Sequence, residues 1–149
     1  MTGEPTFVDT NVLVYAYDAD AGAKHESARS RLQALWQTES GLISTQVLQE
    51  FYVTVTRKLS RPLLRRNARA VIATYGAWPV HRPDVDDVVA ASDLEERHQL
   101  SFWDALIIVS ARRSRAHLLL TEDLQDGQRF DGLEVVSPFR DGVGSERGD

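Results

Sequence analysis

Two hydrophobic periods alternate along this chain. Short apolar runs at Thr6–Val8, Gly41–Ile43, Leu118–Leu120 and Leu133–Val136 have the length of buried strands. Between them the apolar positions recur at helical spacing. One such stretch runs from Lys24 to Thr38 through Ala28, Leu32, Leu35 and Trp36, and a shorter one spans Val12 to Tyr17. A helix capped by Ser44 or Thr45 carries Val47, Leu48, Phe51 and Val55 to about Leu59. Pro62 suits the start of another, running through Val71, Ile72 and Tyr75 to Gly76. Asp84 caps a helix bearing Val85, Val88, Val89 and Leu94, and Ser101 caps one ending around Arg115. Trp78 to His81 reads as a strand whose internal Pro79 places it at a sheet edge. Strands alternating with helices predict an α/β fold: a parallel sheet sandwiched between helices on both faces. In such sheets ligands bind beyond the carboxyl ends of the strands.

The pattern shows no internal repeat or linker, so a single domain over residues 1–139 is expected, followed by a Gly-rich polar tail, 140–149, expected to fray. A hydrophobic content of 42% with 26% charged residues excludes a disordered chain. The absence of cysteine excludes disulfide scaffolds, thiol chemistry and Cys-ligated metal centres. No basic segment leads into an apolar stretch at the N-terminus, and no apolar run approaches a bilayer span, so a cytoplasmic protein is expected. The net charge of −5 argues mildly against nucleic-acid binding, but the bases are clustered. Arg57, Arg61, Arg65 and Arg66 form the densest group; Arg forks suit phosphate, while a solvated helix face is the plainer alternative.

Four acids interrupt this pattern. Asp9 closes the first strand, Glu50 lies beside the apolar stripe of its helix, Asp104 opens a strongly apolar helix, and Asp123 follows a strand. Acids rarely sit in apolar segments unless they are paired, capped or bound to a cation. Two of them follow strands and so fall on the ligand-binding side of the predicted sheet. Converging carboxylates repel one another, and an oxygen-only donor set points to Mg²⁺, with Mn²⁺ as an alternative. Thr10 and Asn11 are placed to orient Asp9, and Thr121 accompanies Asp123. Each acid also has a structural alternative: an Asx turn for Asp9, an exposed helix position for Glu50, a capping box with Ser101 for Asp104, and stabilisation of the turn that ends in Gly127 for Asp123. Glu122 and Asp126 compete with Asp123 for the fourth position. Asp86, Asp87, Asp93, Glu95 and Glu96 read as a solvated helix face, and the four histidines show no metal-ligand spacing.

The segments VDTNVLVYA, SFWDALIIVSA and TEDLQDG, in that order, resemble the PIN-domain family, particularly the VapC-type toxins of bacterial toxin–antitoxin modules. The resemblance runs from Phe7 to about Pro138 and is most specific in the second and third segments. It implies a metal-dependent endoribonuclease whose acidic positions are matched by Asp9, Glu50, Asp104 and Asp123. It also implies a cognate antitoxin protein as partner, RNA as substrate, and a homodimer. Tyr15, Tyr17, Trp36, Phe51 and Tyr52 supply aromatic surface for an amphipathic partner helix, unless they are core. Three rival readings remain: a DNA or flap nuclease, a non-catalytic protein-binding domain, and a receiver-like signalling module. The last needs a Lys near the active strand ends, where neither Lys24 nor Lys58 is expected.

Overall fold

The computed structural model describes residues 3–139; the tail expected at 140–149 lies outside them. Six strands form one sheet: β1 (Thr6–Val8), β2 (Gly41–Ser44), β3 (Val80–His81), β4 (Leu118–Leu120), β5 (Arg129–Phe130) and β6 (Leu133–Val136). Their order is β3-β2-β1-β4-β6-β5, parallel throughout except for β5 against β6. The helices are α1 (Thr10–Ala16), α2 (Ala23–Thr38), α3 (Thr45–Arg57), α4 (Arg65–Tyr75), α5 (Val85–His98) and α6 (Phe102–Arg113). All three residues of β1 are buried, as central parallel strands covered on both faces must be. Phe7, Leu13, Ile43, Phe51, Ile108, Leu119 and Leu133 form the heart of the core.

The strand order positions the site. From β1 the chain first adds strands on one side, β2 then β3, and returns to lay β4 against the other side of β1. The β1/β4 junction is therefore a topological switch point, where the connections leave in opposite directions and open a crevice. Val8 pairs with Leu120, so Asp9 and Thr121 emerge side by side, and the Asp9 N–H is bonded to the Leu120 carbonyl at 3.0 Å.

Several expectations need correction. α1 starts at Thr10 rather than Val12, because the Asp9 carboxylate accepts the Thr10 N–H and sets the first turn two residues early. The helix expected from Pro62 begins at Arg65. Leu63 donates its N–H to the Val55 carbonyl, folding the intervening segment back on α3 before α4 can start. The third strand shrinks to Val80–His81 at the sheet edge. Trp78 instead turns into the core against Gly41, where an added Cβ would come within 2.4 Å of the indole. The two-residue antiparallel β5 carries too few residues to show a period. Asp87 is not part of a solvated face: it is 1% exposed and caps α5 reciprocally with Asp84.

Candidate active site

Asp9 sits 4% exposed between β1 and α1. Its Oδ1 accepts the Thr10 N–H at 2.7 Å, and its Oδ2 accepts the Thr121 hydroxyl at 2.8 Å and the Asn11 amide at 3.3 Å. Asn11 reaches further. The same amide nitrogen lies 3.1 Å from Thr121 Oγ1 and 3.0 Å from Asp123 Oδ2, while Asn11 Oδ1 accepts the Glu122 N–H. One side chain on α1 thus pins the loop after β4. Asp104 comes from the first turn of α6, whose start is set by Ser101 accepting the Asp104 N–H. Ser101 also bonds the Asp104 carboxyl, a bond that opposes the rise of its pKa, so the capping role and a place in the acidic cluster coexist.

One carboxylate oxygen from each of Asp9, Asp104 and Asp123 lies within 4.8 Å of the others. Burial pushes the Asp9 carboxyl up to about 7; the bonds from Thr121 and Thr10 oppose that rise, while the negative charges of Asp123 and Asp104 add to it. Asp104 is also raised, first by burial and then by the charges of Asp123 and Glu50. The charges acting on Asp9 and Asp104 are all negative. Three oxygen donors in so small a volume, with repulsion uncompensated by a cationic side chain among the described residues, fit a hard divalent cation.

Glu50 stands beside this trio rather than in it. Its Oε1 accepts the Thr10 hydroxyl at 2.6 Å and its Oε2 the Gln46 amide at 3.1 Å. Thr10 therefore serves Asp9 through its backbone and Glu50 through its side chain. Gln46 was missed in the sequence, where it reads as an ordinary polar helix residue. It is 6% exposed and also donates to the Trp103 carbonyl at 3.3 Å, joining α3 to α6.

The competitors for the fourth position are engaged elsewhere. Glu122 accepts the Tyr15 hydroxyl at 2.6 Å and pairs with Lys24 at 2.8 Å, and Asp126 accepts the Ser137 N–H at 2.8 Å. Lys24 thus reaches the end of β4, contrary to expectation, because α2 passes beside α1. It is spent on Glu122, and the strand order differs from the 2-1-3-4-5 of receiver domains. Of the basic cluster, Arg57, Arg65 and Arg66 are exposed at facing ends of α3 and α4, whereas Arg61 forms a forked pair with Asp20 at 2.6 and 3.2 Å. Phe51 is fully buried and belongs to the core. Among the described residues no helix is long and apolar enough to cross a membrane.

The profile of the PIN domain matches residues 6–131, and the chain belongs to the PIN-domain family. Solved structures share its fold. A toxin–antitoxin complex from Klebsiella pneumoniae matches with a TM-score of 0.67 at 21% identity, over 90% of this chain and 98% of that one. VapC20 of Mycobacterium tuberculosis, described as a Sarcin-Ricin loop cleaving toxin, matches with a TM-score of 0.60 at 24% identity, over 76% and 86%. DNA-bound VapBC from Salmonella typhimurium matches with a TM-score of 0.64 at 18% identity, over 91% and 99%. No curated protein sequence matches the chain.

Proposed function

We propose that this protein is a Mg²⁺-dependent endoribonuclease, the toxin of a toxin–antitoxin module. The observation that carries the reading is the convergence of Asp9, Asp104 and Asp123 at the switch point of a PIN-family sheet. Asp9, Asp104 and Asp123 would hold the cation, with Glu50 completing the acidic rim; Mn²⁺ suits the same oxygen donors. When bound, the cation supplies Lewis acidity for phosphodiester hydrolysis. The chain's own part is to hold the acids in place. Thr121 and the Thr10 N–H fix both oxygens of Asp9, Asn11 ties Asp9 to Asp123, and Thr10 with Gln46 fixes Glu50. Attack of water on phosphorus with cleavage of the P–O3′ bond would leave a 5′ phosphate and a protonated 3′ hydroxyl, and needs no ribose 2′-OH.

The same reading includes an antitoxin partner and a homodimer. Leu48, Tyr52, Val53 and Ile72 line an apolar groove of about 450 Å³ between α3 and α4, suited to an amphipathic segment. Val85, Val88 and Val89 expose an apolar stripe on α5, which supports self-association. The deciding experiment is cleavage of RNA and DNA in parallel, with Mg²⁺ and with excess EDTA, by wild type and Asp9→Asn. RNA cleavage lost in EDTA and in the variant is expected. Cleavage that persists in EDTA, or DNA cleaved in preference to RNA, would overturn the reading. Induced expression should arrest growth, and co-expression of a small protein encoded beside the gene should relieve it.

A further inference from the structure

Trp103 is 60% exposed although it stands in the first turn of a strongly apolar helix, one residue before Asp104. The Trp103 carbonyl accepts from Gln46 Nε2, the same nitrogen that donates to Glu50 Oε2, and Phe102 meets the indole edge-on at 5.2 Å between centroids. A cleft of about 360 Å³ opens beside the indole, lined by Gln49, Glu50, Val53 and Lys58 of the α3 segment. Glu50 therefore belongs to both the cleft and the acidic rim. Lys58 lies eight residues further along α3, roughly 12 Å by helical rise. A single exposed aromatic would need no explanation by itself. Here one wall is aromatic, the other offers an amide, the near end is acidic and the far end carries a cation.

We infer that this cleft is a nucleobase subsite: an unpaired base of the substrate strand stacks on Trp103, the Gln49 amide meets the base edge, and Lys58 receives a phosphate of the same strand. This rests on the nuclease reading above and deepens it. Stacking on an aromatic ring tolerates any base and requires it to be unpaired, so the subsite selects single-stranded or looped RNA over duplex. Trp103 is a binding residue in this scheme, acting on affinity rather than on the reacting bond.

The remaining tryptophans, Trp36 and Trp78, pack against Tyr75, so a ligand at the cleft should report through Trp103 emission. The probe is a short single-stranded oligoribonucleotide titrated into the full chain with Ca²⁺ in place of Mg²⁺. An abasic ribose–phosphate chain of equal length is the control. The oligonucleotide should quench wild-type emission and the abasic chain should not. Trp103→Phe should keep most of the affinity and lose the quench. Trp103→Ala should bind roughly tenfold more weakly, raising KM more than it lowers kcat. Mn²⁺ affinity should be equal in all three proteins, showing that the acids are undisturbed. Equal affinity for the abasic chain, unchanged binding by Trp103→Ala, or a quench surviving in Trp103→Phe would overturn the subsite. If the emission responds to the co-expressed partner protein and not to RNA, the cleft is a protein-docking surface and the proposal falls. The nuclease reading fails separately, through an Asp9→Asn variant that still cleaves RNA.

Discussion

Asp9 and Asp87 are both aspartates that the fold has taken out of water, at 4% and 1% exposure, yet their surroundings are opposite. Asp87 Oδ2 lies 2.7 Å from His81 Nε2 and accepts the Asp84 N–H, and its Oδ1 is 3.3 Å from Arg113. Burial alone would push that carboxyl up, but His81, the Asp84 N–H and Arg113 hold it below the usual range. Among the described residues Asp9 has neutral hydrogen-bond donors and two acidic neighbours, and it rises to about 7. Asp87, bonded to His81 and close to the Arg113 guanidinium, has a counter-charge built in and ties β3, α5 and α6 together. A buried acid whose neighbours are acids lacks its counter-charge, and that separates a binding site from a structural one.

The sharpest test of the contrast is activity. Asp9→Asn should lower RNA cleavage by about two orders of magnitude or more, since losing a residue that merely supports a ligand costs roughly 10–100-fold. Asp87→Asn should leave cleavage by the folded fraction nearly intact. Equal losses in both, at equal folded fraction, would erase the distinction.

Stability should respond in the reverse sense. Asp87→Ala removes the partner of His81 and Arg113 and should cost about 2 kcal/mol, discounted because both partners are partly exposed. In a chain of this size that lowers Tm by roughly 4–8 °C. Asp9→Asn in EDTA should not lower Tm.

The pH dependence follows from the same two groups. The folded-state pKa of Asp9 is raised, so folded protein holds a proton that unfolded chain has lost between about pH 4 and 7. The Asp9 contribution to stability is therefore present below pH 4 and disappears as pH rises through 7, by a few kcal/mol at most. Asp87 is lowered and runs the other way: its contribution is present above the unfolded pKa and is lost as pH falls through the folded value. Metal-free wild type should thus lose stability toward neutrality more steeply than Asp9→Asn. Saturating Mg²⁺ should flatten the difference. Parallel curves in EDTA would mean that Asp9 ionises normally.

Asp104→Asn is a smaller perturbation, because Asp104 is only half-buried. With EDTA relieved repulsion should outweigh a lost helix-dipole benefit of roughly 0.3–1 kcal/mol, for a net gain on the order of 1 kcal/mol. With millimolar Mg²⁺ wild type should melt higher. Melting of the variant below wild type in EDTA would show that the acids are not crowded. The smallest effect concerns the arginines. Removing Arg57, Arg65 and Arg66 should reduce the salt slope of RNA binding by about 0.7 for each phosphate no longer neutralised, whereas Arg61, held by Asp20, should contribute less. An unchanged slope would assign them to surface solvation.

The sequence by itself determined the alternation of strands and helices, the carboxyl-end location of Asp9 and Asp123, and the caps Asp84 and Ser101, and it narrowed the α3 cap to Ser44 or Thr45, since these depend on local period and turn chemistry. It also named four acids, of which Asp9, Asp104 and Asp123 converge and Glu50 stands beside them. Only the tertiary structure decided between Asp123, Glu122 and Asp126. Within a few residues of one loop, the distinction rests on which partners α1, α2 and the segment after β6 bring to it: Asn11 to Asp123, Lys24 to Glu122, Ser137 to Asp126. The same holds for Asp87, which shares its helix with exposed acids and is buried because β3 and the end of α6 happen to supply His81 and Arg113. Local pattern reports on neighbours three or four residues away, whereas counter-charge and desolvation are set by side chains tens of residues distant. The identity of a residue is therefore legible in the sequence before its electrostatic fate is.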